Sequence, residues 1–180
     1  MSLDQVLARR RSVREFRDEP VGDEAIAKLL WAAQGPSDPE GHRTAPSAGA
    51  TYPLELYAVT AHGVFHYDPR HERIARVDAS DIRPALESAA GGQSAVGSAP
   101  LLVVFAAVQA RTSAKYGKRA ERYVSLEAGH AAQNVLLEAT ALGLGAVPVG
   151  AFDDDALARA LPLPREQRPI YMVAVGHPRG

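Results

Sequence analysis

The sequence predicts an α+β fold, a mostly antiparallel sheet with helices packed over it. Three observations lead there. "LELYAVTA" and "GVFHYDPRHERIARVD" alternate apolar and polar residues, as half-buried strands do. "APLLVVFAAV" is continuously apolar and rich in β-branched residues, as a strand covered on both faces would be. From about Lys118 to Leu142, Val124, Ala128, Ala131, Val135, Ala139 and Leu142 recur at three- and four-residue spacing, the period of a long helix.

Taken along the chain, "SLDQVLARR" reads as a short helix capped by Ser2. "GDEAIAKLLWAAQG" reads as a second, with Asp23 as cap and Gly35 as stop, and with Ile26, Leu29, Leu30 and Ala33 on one face. The bare loop "RTAPSAGATYP" then leads into the first strand. A hairpin follows around the turn residues Asp68 and Pro69. "ASDIRPALESAAGG" is helical provided that Pro84 sits in the first turn. The apolar run supplies a buried central strand. The long helix is apolar on much of its opposite face too, which predicts burial on most sides, in a core or at a subunit interface. Gly143 and Gly145 end it. "AVPVGAF" is strand-like, "DDDALARAL" a helix capped by its aspartates, and "IYMVAVG" a last apolar strand.

At 180 residues the chain is expected to be one domain spanning 1–180, with 46% apolar and 23% charged residues. A net charge of −1 offers no overall electrostatic footprint for nucleic acid. Cysteine is absent, which removes disulfides, thiolate metal sites and thiol redox chemistry. The amino terminus interrupts its apolar residues with charges, unlike a signal peptide, and no apolar run approaches the roughly 20 residues that span a bilayer. A cytoplasmic protein without membrane partners is expected. His62, His66 and His71 straddle a hairpin turn without a carboxylate cluster, so no metal site is expected. His130, within the long helix, reads as a hydrogen-bonded core histidine. No G-x-S-x-G elbow or Walker loop is present.

Five stretches carry chemical potential, each with a plainer reading beside it. "RRRSVREF" packs Arg9, Arg10, Arg11, Ser12 and Arg14 into a compact phosphate clamp, or else into a solvated basic face at a helix end. "APSAGATYP" lets backbone approach a ligand closely, with Tyr52 as a stacking or hydrogen-bonding ring, or is an ordinary loop. Gln93 of "GGQ" offers an amide to a heterocycle edge, or simply follows a helix cap. Lys115 and Tyr116 of "AKYG" are a candidate proton-handling pair, or surface residues. "GLGAVPVGAF" follows a helix and lacks G-x-G-x-x-G spacing, so it is no dinucleotide fingerprint, yet it can expose backbone amides.

In this order, "RRSVREF", "APSAGATYPLELY", "HYDPRHERI", "GGQ" before "APLLVVF", "KYG" and "RYVSLEAGHAAQNVLLEATALGLGAVPVGAFDDDAL" resemble the FMN-dependent nitroreductase family. Within it they are most similar to the SagB-type branch, which includes azoline dehydrogenases acting on ribosomal peptides. The resemblance runs from about residue 8 to residue 178. It implies a three-layer sandwich, a mostly antiparallel sheet flanked by helices, in a homodimer with FMN at the interface.

The resemblance also implies roles. Arg10, Arg11, Ser12 and Arg14 would hold the FMN phosphate and ribityl chain, and Pro46, Ser47, Ala48 and Gly49 would line the flavin from the partner subunit. Gln93 would meet the polar edge of the ring, and Val149 and Gly150 would place amides near its N5 atom. Many relatives have further basic residues beyond the last strand; here "GHPRG" offers Arg179. The implied activity is hydride transfer to and from small-molecule substrates, with NADH or NADPH as possible donor. The alternatives are azoline oxidation in peptides, with Lys115 or Tyr116 as base, and a flavin-binding protein without turnover.

Overall fold

The apolar run becomes β4 (Leu101–Ala107), and every one of its residues is buried. Its neighbours explain why. In the computed structural model, which describes residues 1–179, the other strands are β1 (Leu54–Thr60), β2 (Gly63–Asp68), β3 (Arg73–Asp78), β5 (Gly145–Val149) and β6 (Arg168–Gly176). They form one sheet of order β3-β2-β1-β4-β6-β5, with every strand pairing antiparallel. Alternate residues of β4 face opposite ways. Leu101, Val103 and Phe105 join a core with α2 (Asp23–Gln34) and α6 (Ala120–Ala141). Leu102, Val104 and Ala106 join a second core with α3 (Arg83–Ala89), α4 (Ser94–Gly97) and α7 (Asp154–Ala160). Helices therefore cover both faces, giving the three expected layers. An antiparallel strand here reads as continuously apolar because neither side meets water.

Local signals place the helices. Ser2 caps α1 (Leu3–Arg9) in a reciprocal box, its hydroxyl accepting from Gln5 N–H while the Gln5 side chain accepts from Ser2 N–H at 3.0 Å. The cap of α2 is Gly22, not Asp23. Asp23 starts the helix itself, where with Glu24 it favours the positive end of the dipole. Pro84 sits in the first turn of α3, and Asp153 caps α7 by accepting from Ala156 N–H at 2.7 Å. "AKYG" supplies the end of α5 (Gln109–Tyr116), an element not assigned from sequence.

Within the single chain the long helix is buried along one side, and not on most sides as a helix inside one core would be. Val124, Ala128, Ala131, Val135 and Ala139 are buried, but Ser125, Leu126, Gly129 and His130 are exposed, because α2 and the sheet cover one side only. His130 is thus a surface residue and not a core histidine. Among the described residues no helix is long and apolar enough to cross a membrane.

Strand register sets where the ends of the sheet meet. Leu54, the first residue of β1, pairs with Ala107; Ala107 pairs with Arg168; and Val149, the last of β5, pairs with Met172. The loop entering β1 and the loop leaving β5 consequently emerge at the same end.

Candidate functional site

After α1 the chain lies along the free edge of β5. Ser12 forms a parallel bridge with Ala146, and Val13 N–H donates to the Ala146 carbonyl at 3.0 Å. Gly145 makes this approach possible, since a Cβ there would fall 2.7 Å from Val13 Cγ1. Further on, Phe16 bridges Pro178, and Arg179 N–H donates to the Glu15 carbonyl at 3.1 Å. Arg10, Ser12, Arg14 and Arg179 are thereby gathered on one edge. Among the described residues, the guanidinium groups of Arg10 and Arg14 have no protein partner. Arg11 is different. Its Nη1 donates to the carbonyls of Ala8 and Arg10 at 2.9 and 2.8 Å, closing the carboxyl end of α1.

At the other end of β5, Val149 ends the strand as a buried residue and Gly150 is exposed. Gln93 reaches them from the start of α4. Its Nε2 donates to the Ala90 carbonyl at 3.0 Å and the Ala151 carbonyl at 2.8 Å. The amide hydrogens expected to serve a heterocycle instead pin the turn that follows Gly150, which leaves the Oε1 acceptor.

The bare loop forms the second patch. Pro46 and Gly49 are exposed, while Ser47 and Ala48 are half-buried. Gly49, Ala50 and Tyr52 adopt φ of +58°, +53° and +42°. Two non-glycine residues in that region need surrounding structure to hold them. Ser47 Oγ accepts from Tyr52 N–H at 2.9 Å, and the hydroxyls of Thr51 and Thr112 meet at 2.9 Å. The Arg43 guanidinium lies 4.4 Å from the Tyr52 ring centroid, so one face of that ring is already covered. Lys115 Nζ donates to the Gly49 carbonyl at 3.4 Å, and Tyr116 packs edge-on against Tyr123. A Cβ at Gly49 would lie 2.5 Å from Tyr116 Oη and 2.6 Å from Lys115 Nζ. The bareness of the loop thus has one cause inside the chain itself.

Beneath the loop lies Glu127, 2% exposed. Burial pushes its carboxyl up to about 7, against the lowering effects of Ser47, Arg43 and Gln34. It was not singled out from sequence, although its signal was present: position 127 is three after Val124 and four before Ala131, on the buried stripe of α6.

Strip and patch lie on β5 and β1 and toward opposite ends of the sheet: Ser12 bridges Ala146, which pairs with Val175 near the end of β6, whereas Leu54 is level with Ala107 and Arg168 at the start of β6. Three strand spacings, roughly 14 Å, separate those strands. A cleft of about 710 Å³ opens elsewhere, on the outer side of Tyr52, where Glu55 is bonded to Arg111 Nη2 at 2.6 Å and His66 Nε2 at 2.7 Å. That cleft is lined by neither Arg14 nor Gly150, so it is not the concavity served by the strip. The strip and patch do suit a flavin mononucleotide. Two guanidinium groups and a hydroxyl match a phosphate. Exposed backbone at Gly150 and a loop of small side chains match a planar ring.

Comparison with known proteins agrees. The family model described as "Nitroreductase family" matches residues 7–177. A candidate nitroreductase of Methanocaldococcus jannaschii is 41% identical over 182 residues, covering 98% of this chain and 91% of that protein. The microcin B17-processing protein McbC of Escherichia coli is 27% identical over 83% of this chain and 59% of its own length. An FMN reductase [NAD(P)H] of Bacillus subtilis is 25% identical over 93% of this chain and 62% of its own. The crystal structure of a candidate nitroreductase from Ralstonia eutropha superposes with a TM-score of 0.91 at 34% identity, covering 100% of this chain and 84% of that one. A chain with this fold and these matches belongs to the nitroreductase family and is an oxidoreductase.

Proposed function

We propose that this oxidoreductase is a homodimer that binds FMN between its two copies and passes hydride between a donor and a small-molecule acceptor. The observation that supports it best is the strip laid on the edge of β5, the strand that leads to Gly150, where Arg10 and Arg14 have no side-chain partner among the described residues. FMN, when bound, would supply a hydride-accepting and hydride-donating centre at its N5 atom. The protein would bind the phosphate through Arg10, Ser12, Arg14 and Arg179. Gln93 orients the turn after Gly150, whose backbone would face N5. The patch of Pro46, Ser47, Ala48 and Gly49 would come from the second copy, because in one chain it lies three strands from the strip. NADH or NADPH would be the donor, a reading favoured by the FMN reductase relative. The cytoplasm is the proposed compartment.

The test is an absorption spectrum of purified protein reconstituted with FMN, then anaerobic titration with NADH and NADPH. A bound flavin spectrum that bleaches on titration is expected. A protein that takes up no flavin overturns the reading, and one that binds flavin without bleaching is a binder without turnover.

A second reading, azoline oxidation in peptides as in the SagB-type branch, is favoured by one contact. Lys115 Nζ donates to the Gly49 carbonyl at 3.4 Å, which holds the side chain that would act as base against the loop proposed to line the flavin. The McbC relative fits this reading. Lys115→Ala should then abolish azoline oxidation with FMN still bound; undiminished oxidation would reject it.

A further inference from the structure

Glu127 projects from α6 under the 43–52 loop, and the chemistry above does not use it. A carboxylate this buried needs partners. Gln34 of α2, itself 1% exposed, donates Nε2 to Glu127 Oε1 at 3.5 Å and accepts from Arg43 Nη1 at 2.9 Å. Burial raises the Glu127 carboxyl, and the neighbouring Ser47 hydroxyl works against that rise. That same Ser47 oxygen accepts from Tyr52 N–H, and Arg43 covers the Tyr52 ring. One buried carboxylate thus reaches Arg43 through Gln34 and neighbours Ser47, in a loop that holds Gly49, Ala50 and Tyr52 at positive φ.

We propose that Glu127 is a positioning residue for this loop: its ionised carboxylate orients the Ser47 hydroxyl, and through it the Tyr52 backbone, into the shape that receives FMN. This rests on the flavin reading above. Ser47 has one hydroxyl hydrogen. When it donates to the carboxylate, the lone pairs of Ser47 Oγ are left to Tyr52 N–H. A proton on Glu127 removes one acceptor oxygen and adds a donor that competes with Tyr52 for Ser47, so the hold on the strained segment weakens. The charged group facing Glu127 from the loop is Arg43, which in turn senses Glu55 and Tyr52 and, with opposite sign, Arg111. From α2 the facing group is Gln34, uncharged. Along α6, Tyr123 and His130 are one turn away, His130 being exposed. Burial raises the Glu127 carboxyl to about 7, so the exchange falls in the neutral range.

The test uses full-length protein labelled with nitrogen-15, as wild type, Glu127→Gln and Ser47→Ala. In flavin-free wild type the Tyr52 amide resonance should move between about pH 5.5 and pH 8.5 with a midpoint near 7. In Glu127→Gln that titration should vanish, and if this variant fails to fold, its loss in Ser47→Ala decides the matter. FMN affinity is then measured at about pH 6 and pH 8. Wild type should gain at least about threefold more on raising the pH than Glu127→Gln does. Comparing the two cancels the titration of the ligand's own phosphate. A Tyr52 amide that is flat in wild type, or that titrates equally in the variants, overturns the proposal, as does an equal pH response of FMN affinity. Wild type that takes up no FMN at either pH, with the amide titration intact, sinks the flavin reading and leaves Glu127 controlling the loop.

Discussion

The Gln93 side-chain amide donates to the Ala151 carbonyl at 2.8 Å, binding the start of α4 to the turn that leaves β5 across 58 residues of sequence. One nitrogen, shared with Ala90, holds the backbone at Gly150 in place. Gln93→Leu removes both bonds, at about 1 kcal/mol each before relaxation. Flavin affinity should fall by roughly fivefold or more, read by quenching of flavin fluorescence. Affinity equal to wild type would mean that the turn holds itself.

The arginines of the strip should separate by function. Arg14 has a guanidinium without a partner among the described residues, so Arg14→Ala should cost about 1.5–3 kcal/mol of FMN binding, roughly ten- to a hundredfold. Riboflavin, which lacks the phosphate, should bind both proteins alike. Arg11 closes α1 through the Ala8 and Arg10 carbonyls. Arg11→Ala should therefore lose about 0.5–1 kcal/mol of stability, seen as a Tm lower by about 2–4 °C. Equal loss of FMN and riboflavin binding in Arg14→Ala would count against a phosphate role.

Gly49→Ala tests the bare loop. Its φ of +58° disfavours a side chain, by about 1–2 kcal/mol. The new Cβ would also displace Lys115 Nζ and Tyr116 Oη. Lower stability together with weaker flavin binding is expected from thermal melts and titration. A variant as stable as wild type would show that the loop rearranges freely.

Glu127 also sets a pH dependence of stability. Its carboxyl is raised from 4.5 to about 7, chiefly by burial, so the folded state resists its ionisation. The associated stability is fully present below about pH 4.5 and is lost as pH rises through about 7. The loss amounts to about 3 kcal/mol. Glu127→Gln, which cannot ionise, should gain on wild type in urea unfolding between about pH 5 and pH 8. Parallel stability curves for the two proteins would contradict this. A side chain that costs stability at neutral pH is what a positioning role would entail.

Much of the fold was legible. The apolar run of β4 reported a strand covered on both faces, and Ser2, Pro84 and Asp153 marked helix starts. β1, whose alternation predicts a half-buried strand, is instead buried on both faces, with Leu56 and Ala58 in one core and Tyr57 and Val59 in the other. The cap of α2 was misplaced by one residue because Gly22 offers no side chain to mark it. Of the candidate site, the arginine strip and the small-residue loop stood out by composition. Glu127 did not, since a single acidic residue within a helix reads as solvated until its neighbours are known.

Sequence alone determined the periodicities, and hence the strands and most of the helices, because these depend on residues a few positions apart. Only the tertiary structure decided which polar groups have partners. Arg11 is engaged while Arg14 stands open, the Gln93 amide is held by Ala151, and Glu127 is buried against Gln34, 93 residues away. It also decided that one face of α6 stays open in the single chain. The physical reason is that hydrogen bonds and desolvation act at contact range in space, where chain separation no longer counts.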